Sequence, residues 1–299
     1  MNKVGIPRGI FYYYNKDIWT NFFDALDVPY IISPKTNKKI MKLGIKHSND
    51  EMCLSMKVFM GHVFYLKDKC DCLLIPRIDN FKCNNQTCTN FLALYDIVHN
   101  MLDKRILNYN IDLEKNKTLK KGLIQIGSKL GKSKKEIKKA YKYALHEYKV
   151  KRKLEIKENK SKLASSKIKI LIVSHPYNTY DEMIGADIIN YLNKNNIEII
   201  YSDKFNSKEV SKLSYKYSKD IYFKYNKDNV GALKYCEDKI DGVIFLSSFP
   251  CGPDSITNEL VMRQINLPYL NLIIDDSSAF TGIETRLESF IDMLGGNHE

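Results

Sequence analysis

Two stretches of this chain, residues 3–103 and 167–299, repeat one alternation of short apolar runs with longer amphipathic runs, and that alternation restricts the fold more than any other feature. The first stretch reads as strand 3–6, loop "PRGIFYYYN", helix 17–26, strand 29–33, helices 37–45 and 54–69, strand 72–77 and helix 90–102. The second reads as strand 167–173, loop "SHPYNTYD", helix 182–194, strand 197–202, a Lys/Tyr-rich helical region, strand 241–247, helix 255–265, strand 269–275 and helix 283–294. Alternating strands and helices pair in parallel through crossover connections. The expected fold is therefore α/β: two doubly wound parallel-sheet domains, Rossmann- or flavodoxin-like, at 1–103 and 167–299, joined by a basic helical connector at 104–166. A length of 299 residues also suits two cores better than one. Two such domains facing each other across a cleft are the default place for chemistry.

The net charge of +12 is unevenly spread. Residues 115–162 hold 18 Lys and Arg against 4 Glu, a charge of +14, which leaves −2 for the remainder. Ser133 and Glu136 have capping-box spacing, and Ile137, Ala140, Tyr141, Ala144, Leu145 and Tyr148 follow at helical spacing, so a long amphipathic helix starts near 134 and ends at the "NKSKLASSK" linker. Its lysines form a solvated face, a dock for an acidic partner, or a nucleic-acid patch, the last disfavoured. "GSKLGKS" (127–133) is one residue short of a phosphate loop and has no strand before it, which argues against ATP binding there. No run of 18 apolar residues and no leader pattern occurs, so a cytoplasmic protein without membrane insertion is expected.

Seven cysteines, an odd number, point away from a disulfide framework and toward thiols, metal ligands or packing. Cys70 and Cys72 lie at or in an expected strand and Cys236 in a helical run, so all three read as core. Cys53, Cys88 and Cys251 each come at or just before an expected helix. A helix N-terminus stabilises thiolate, the form that binds metal. Cys251 in "LSSFPCGPDS" also lies in a strand-to-helix turn, where open α/β sheets bind ligands, and Pro250, Gly252 and Pro253 would stiffen that turn and let backbone approach closely. Cys83, five residues before Cys88, is an alternate ligand.

The segments "VGIPRGIFYYYNKDIWTNFF", "SPKTNKKI", "DEMCLSMKVFMGHVFYLKDK", "LLIPRI", "SHPYNTYD", "SSFPCGPDSITNEL" and "TRLESFIDML" together resemble the CoA-enzyme-activase-associated proteins. That family is related to 2-hydroxyacyl-CoA dehydratase subunits and double-cubane cluster proteins of anaerobes. The resemblance implies that Cys53, Cys88 and Cys251 hold an iron–sulfur cluster, [4Fe–4S] or a fused double cubane. Three thiolates on a cubane leave one iron open, so such a cluster can bind and reduce as well as carry electrons. Arg8 and His175, on corresponding loops, are the implied anion contact and proton donor for a small-molecule substrate. Asp276 stands where the family leads one to expect glutamate. The chain lacks an activase's own nucleotide motifs, so the implied function is a reductase- or dehydratase-type component that takes low-potential electrons from a separate ATP-dependent activase, with a homodimer left open. The alternatives are an electron-transfer or cluster-carrying protein without substrate turnover, a zinc-stabilised structural protein, and a basic nucleic-acid binder.

Overall fold

The computed structural model describes residues 3–82, 84–277 and 280–295. The chain divides into two compact units, Met1–Lys151 and Arg152–Glu299. In the first, β1 (Val4–Ile6) leads to α1 (Phe11–Asp24), β2 (Tyr30–Ile32), α2 (Lys38–Lys46), α3 (Leu54–Leu66), β3 (Cys72–Leu74), β4 (Arg77–Asn80), α4 (Thr89–Met101), β5 (Arg105–Leu107), β6 (Asn110–Asp112) and α5 (Leu119–Lys129). Helix α6 (Lys134–Ser161) contains the boundary. The second unit continues with β7 (Lys169–Val173), α7 (Pro176–Thr179), α8 (Ala186–Lys194), β8 (Glu198–Tyr201), α9 (Ser207–Val210), α10 (Lys224–Cys236), β9 (Gly242–Ser248), α11 (Gly252–Met262), β10 (Tyr269–Ile274) and α12 (Phe280–Met293).

Both four-stranded sheets are parallel throughout, with orders β2-β1-β3-β5 and β8-β7-β9-β10. Counted within each unit, both orders are 2-1-3-4, the doubly wound arrangement expected from the alternation. Successive residues of β1, β3 and β9 are all buried, which means that both faces of these strands are covered. The first core is built around Phe11, Trp19, Phe22 and Phe23. The second gathers Leu171, Val173, Phe245, Val230, Leu233 and Val261 from strands and helices.

Helices α2 and α3 cross at glycines. A Cβ on Gly44 would stand 2.0 Å from the Lys57 carbonyl oxygen, and one on Gly61 would stand 2.1 Å from that of Ile40. Only glycine permits this approach, and it fixes α3, hence Cys53, against the sheet's helical layer.

Several elements depart from the sequence reading. The 104–166 segment is not helical throughout: Arg105–Leu107 forms the fourth strand of the first sheet, paired with β3, and Asn110–Asp112 pairs with β4. Tyr109, between them, is buried and accepts a hydrogen bond from Trp19 Nε1 at 2.9 Å, tying that segment to the first core. The expected strand 72–77 splits into β3 and β4 around Pro76, which has no N–H for a ladder. Helix α1 begins at Phe11 rather than 17, because the aromatic run packs its first turn instead of forming a loop. Helix α11 begins at Gly252 rather than 255, with Pro253 in its first turn, where a preset φ favours helix. The capping box is present: Ser133 N–H donates to Glu136 Oε2 at 2.9 Å and Glu136 N–H to Ser133 Oγ at 3.3 Å. "GSKLGKS" is the end of α5 and the turn into α6, so a helix and not a strand precedes it.

Candidate functional site

In a doubly wound sheet the ligand crevice lies beyond the carboxyl ends of the strands flanking the switch in order. Those strands are β1 and β3 in the first unit and β7 and β9 in the second. Arg8 is the second residue after β1, and His175 the second after β7. Each loop is braced by the same device. The Arg8 N–H donates to Ser33 Oγ at 2.8 Å, and the Ser174 N–H to Ser202 Oγ at 3.2 Å; both serines are buried and directly follow the second strand of their unit. A buried hydroxyl here meets a loop N–H that would otherwise lack a partner.

Arg8 also donates Nε–H to the Ser33 carbonyl at 3.1 Å and lies over the Tyr12 ring, 5.2 Å from its centroid. Its two Nη groups make no hydrogen bond to the described residues. The turn behind it is strained: Ile10, the N-cap residue of α1, has φ 44°, a region that a β-branched side chain seldom enters. Such strain costs about 1–3 kcal/mol and persists where the surroundings hold it. Arg8 therefore braces β1 and β2 while leaving half of its guanidinium available.

His175 is not an exposed proton donor in this structure. It is 4% exposed, and its Nε2 lies 2.9 Å from Asp254 Oδ1, which also accepts from Asn226 Nδ2 at 2.8 Å. The carboxylate offers no proton, so Nε2–H is the donor. The ring stacks on Tyr177 at 4.8 Å and meets Tyr225 edge-on at 6.1 Å. Burial pushes the Asp254 carboxyl up, but the His175 charge and hydrogen bonds from His175, Asn226 and Cys251 outweigh it and hold the group below the usual range. Asp254 follows Cys251 by three residues, in the first turn of α11. The histidine thus anchors the turn that carries the thiol.

Replacing Asp254 by Ala strands buried donors on His175 and Asn226 and should cost about 2 kcal/mol at pH 7 in urea unfolding. A depressed carboxyl contributes its stability above its unfolded value and loses it as the pH falls through its native one. The gap between wild type and variant should therefore narrow below about pH 4.

The cysteines fall into two groups. Cys53, Cys88 and Cys251 are the N-cap residues of α3, α4 and α11, all extended in backbone and all partly exposed. Cys88 and Cys251 are topological equivalents, each capping the helix that leads from the third strand of its sheet to the fourth. Gly252, beside Cys251, meets no described atom where a Cβ would stand, so it does not serve close backbone approach within the chain. Cys70, Cys72 and Cys236 are buried, and burial pushes their thiols up, Cys72 to about 11 and Cys236 to about 12. Cys83 lies outside the described residues, as do positions 278 and 279 of the "DDSSAFTG" loop.

Cys53 and Cys88 belong to the first unit and Cys251 to the second. Within either unit, no three His, Cys, Asp or Glu side chains among the described residues group as a metal site. A cavity of about 180 Å³ in the first unit is lined by Tyr109, Lys117 and Lys121 among others, and none of the five candidate residues borders it. Among the described residues no helix is long and apolar enough to cross a membrane. The residues that sequence reasoning missed are Ser33, Ser202, Asp254 and Asn226. Only Asp254 carried a signal, an acidic side chain three residues after a cap position.

None of the curated proteins matches this chain. Two solved structures align over its length at 11% identity: an aspartate racemase of Picrophilus torridus, covering 100% of this chain and 96% of the racemase with a TM-score of 0.24, and the AdcAII protein of Streptococcus pneumoniae, covering 99% and 98% with a TM-score of 0.29. Neither likeness is strong enough to argue from. Residues 3–205, more than half of the chain and including Arg8, Cys53, Cys88 and His175, match the family described as CoA enzyme activase uncharacterised domain (DUF2229), and the chain belongs to that family.

Proposed function

We propose that this protein is an iron–sulfur component that receives low-potential electrons from an ATP-dependent CoA enzyme activase. The observation that carries the reading is the division of the cysteines: Cys53, Cys88 and Cys251 cap helices and are partly exposed, whereas the other described cysteines are buried. The donor chemistry fits, since iron–sulfur clusters take thiolate ligands and a helix N-terminus favours thiolate. Cys53, Cys88 and Cys251 would hold the cluster, which supplies one-electron chemistry when bound. The His175–Asp254 pair would keep the Cys251 turn in place, and the open side of the Arg8 guanidinium would hold an anionic group. The family description supports the activase as partner.

Protein purified without oxygen should contain iron and acid-labile sulfide in equal amounts and absorb visible light. Zinc in place of iron, with a colourless protein, would turn the reading into a structural metal site. Absence of any metal would refute both.

A further inference from the structure

Helix α6 carries a second side-chain row that its packing does not use. Ile137, Ala140 and Ala144 are buried and fasten the helix to the fold. On another side Tyr143, Val150 and Leu154 are 48%, 46% and 62% exposed. Their spacing of seven and then four residues places them, with Glu147, in one line along the helix, the spacing of a coiled-coil seam. Lys139 and Lys153 border that line on one side, with Lys142 and Lys149 farther round the same side; all are exposed, and none forms an ion pair among the described residues. The neighbouring Lys151 is paired with Asp17 at 2.7 Å and Arg152 with Glu155 at 3.3 Å.

We propose that this row docks an acidic amphipathic helix of a partner protein, its apolar side chains on Tyr143, Val150 and Leu154 and its carboxylates on the flanking lysines. Charge decides the occupant. Residues 115–162 hold +14, so a second copy of the chain would meet like charge at this face. A lipid surface calls for a broad apolar face, and here the apolar row is one side chain wide. Nucleic acid would use the lysines and leave Val150 and Leu154 without purpose. The inference rests on α6 alone and is independent of the thiols.

The probe is a synthetic Glu-rich peptide with leucines at heptad spacing, titrated into the full-length protein, with a scrambled peptide of the same composition, duplex DNA and phosphatidylserine vesicles in parallel. The heptad peptide should bind most tightly and weaken with salt. The double substitution Val150→Ser and Leu154→Ser, at exposed positions that leave the fold intact, should reduce its affinity about tenfold, near 1.4 kcal/mol. Equal binding of the scrambled peptide, tighter binding of DNA or vesicles, or an affinity unchanged by the double substitution would each overturn the proposal.

Discussion

Serine in place of Cys53, Cys88 or Cys251 should remove most of the iron from anaerobically purified protein, whereas Cys236→Ser should not. The substitution suits these positions unusually well as a test. Each of the three is a helix N-cap, where serine is among the preferred residues and its hydroxyl accepts a first-turn N–H more readily than a thiol does. The variants should therefore unfold no earlier than wild type stripped of its metal, so loss of iron cannot be ascribed to loss of the helix. Cys236 is the converse case. It is fully buried in the second core, and a hydroxyl there should cost about 1–3 kcal/mol of stability while leaving bound iron unchanged. The measurement is iron and sulfide per chain beside a melting curve. Iron retained in all three N-cap variants would remove them as ligands, and iron lost from Cys236→Ser at temperatures where it is folded would undo the division on which the reading stands.

How far the sequence revealed this arrangement depended on where its physical signals were local. The start of α6 is legible near residue 134 because a capping box is a reciprocal bond between Ser133 and Glu136, three residues apart. The cysteines could be sorted because "C-LSMKVF" and "C-TNFLAL" put each thiol directly ahead of an apolar helical run. Strand β5 could not be seen in the same way. Three residues between Lys104 and Asn108 show no periodicity, and Arg105–Leu107 becomes a strand only because β3 offers it an open edge. The serines are a sharper case. Ser33 and Ser202 read as the last residues of the expected strands 29–33 and 197–202, and their role appears only when the second strand of each sheet brings them beside the loop after the first. His175 was placed correctly in its loop, yet its partner Asp254 is 79 residues away, so its burial and pairing belong to tertiary structure. Local bonds were legible and long-range satisfaction of buried polar groups was not.

Acid should unfold the first unit through His62. This side chain lies in α3, the helix that Cys53 caps, and is fully buried. Its Nε2 is 3.0 Å from Thr36 Oγ1, and its Nδ1 has no partner among the described residues. Burial first, and then the nearby Arg8 charge, lower its pKa from 6.5 to about 3. The native imidazole therefore stays neutral while the unfolded one takes a proton below pH 6.5. Between those two values the unfolded state binds more protons, so stability falls as the pH falls, by about 1.4 kcal/mol per unit from this group. From pH 7 to pH 4 the loss should be about 3 kcal/mol, a large part of an ordinary domain's stability. His62→Gln, which keeps a polar contact with Thr36 but cannot titrate, should lack this component. The difference between the two unfolding free energies should thus shrink or reverse on acidification, because carboxylate effects common to both cancel. Trp19, the chain's single tryptophan, is buried in the same unit and bonded to Tyr109, so its fluorescence reports the unfolding of that unit. Parallel stability curves for wild type and His62→Gln between pH 6.5 and pH 4 would show that the native imidazole does take a proton in that range, with water reaching it or Arg8 moving away from it.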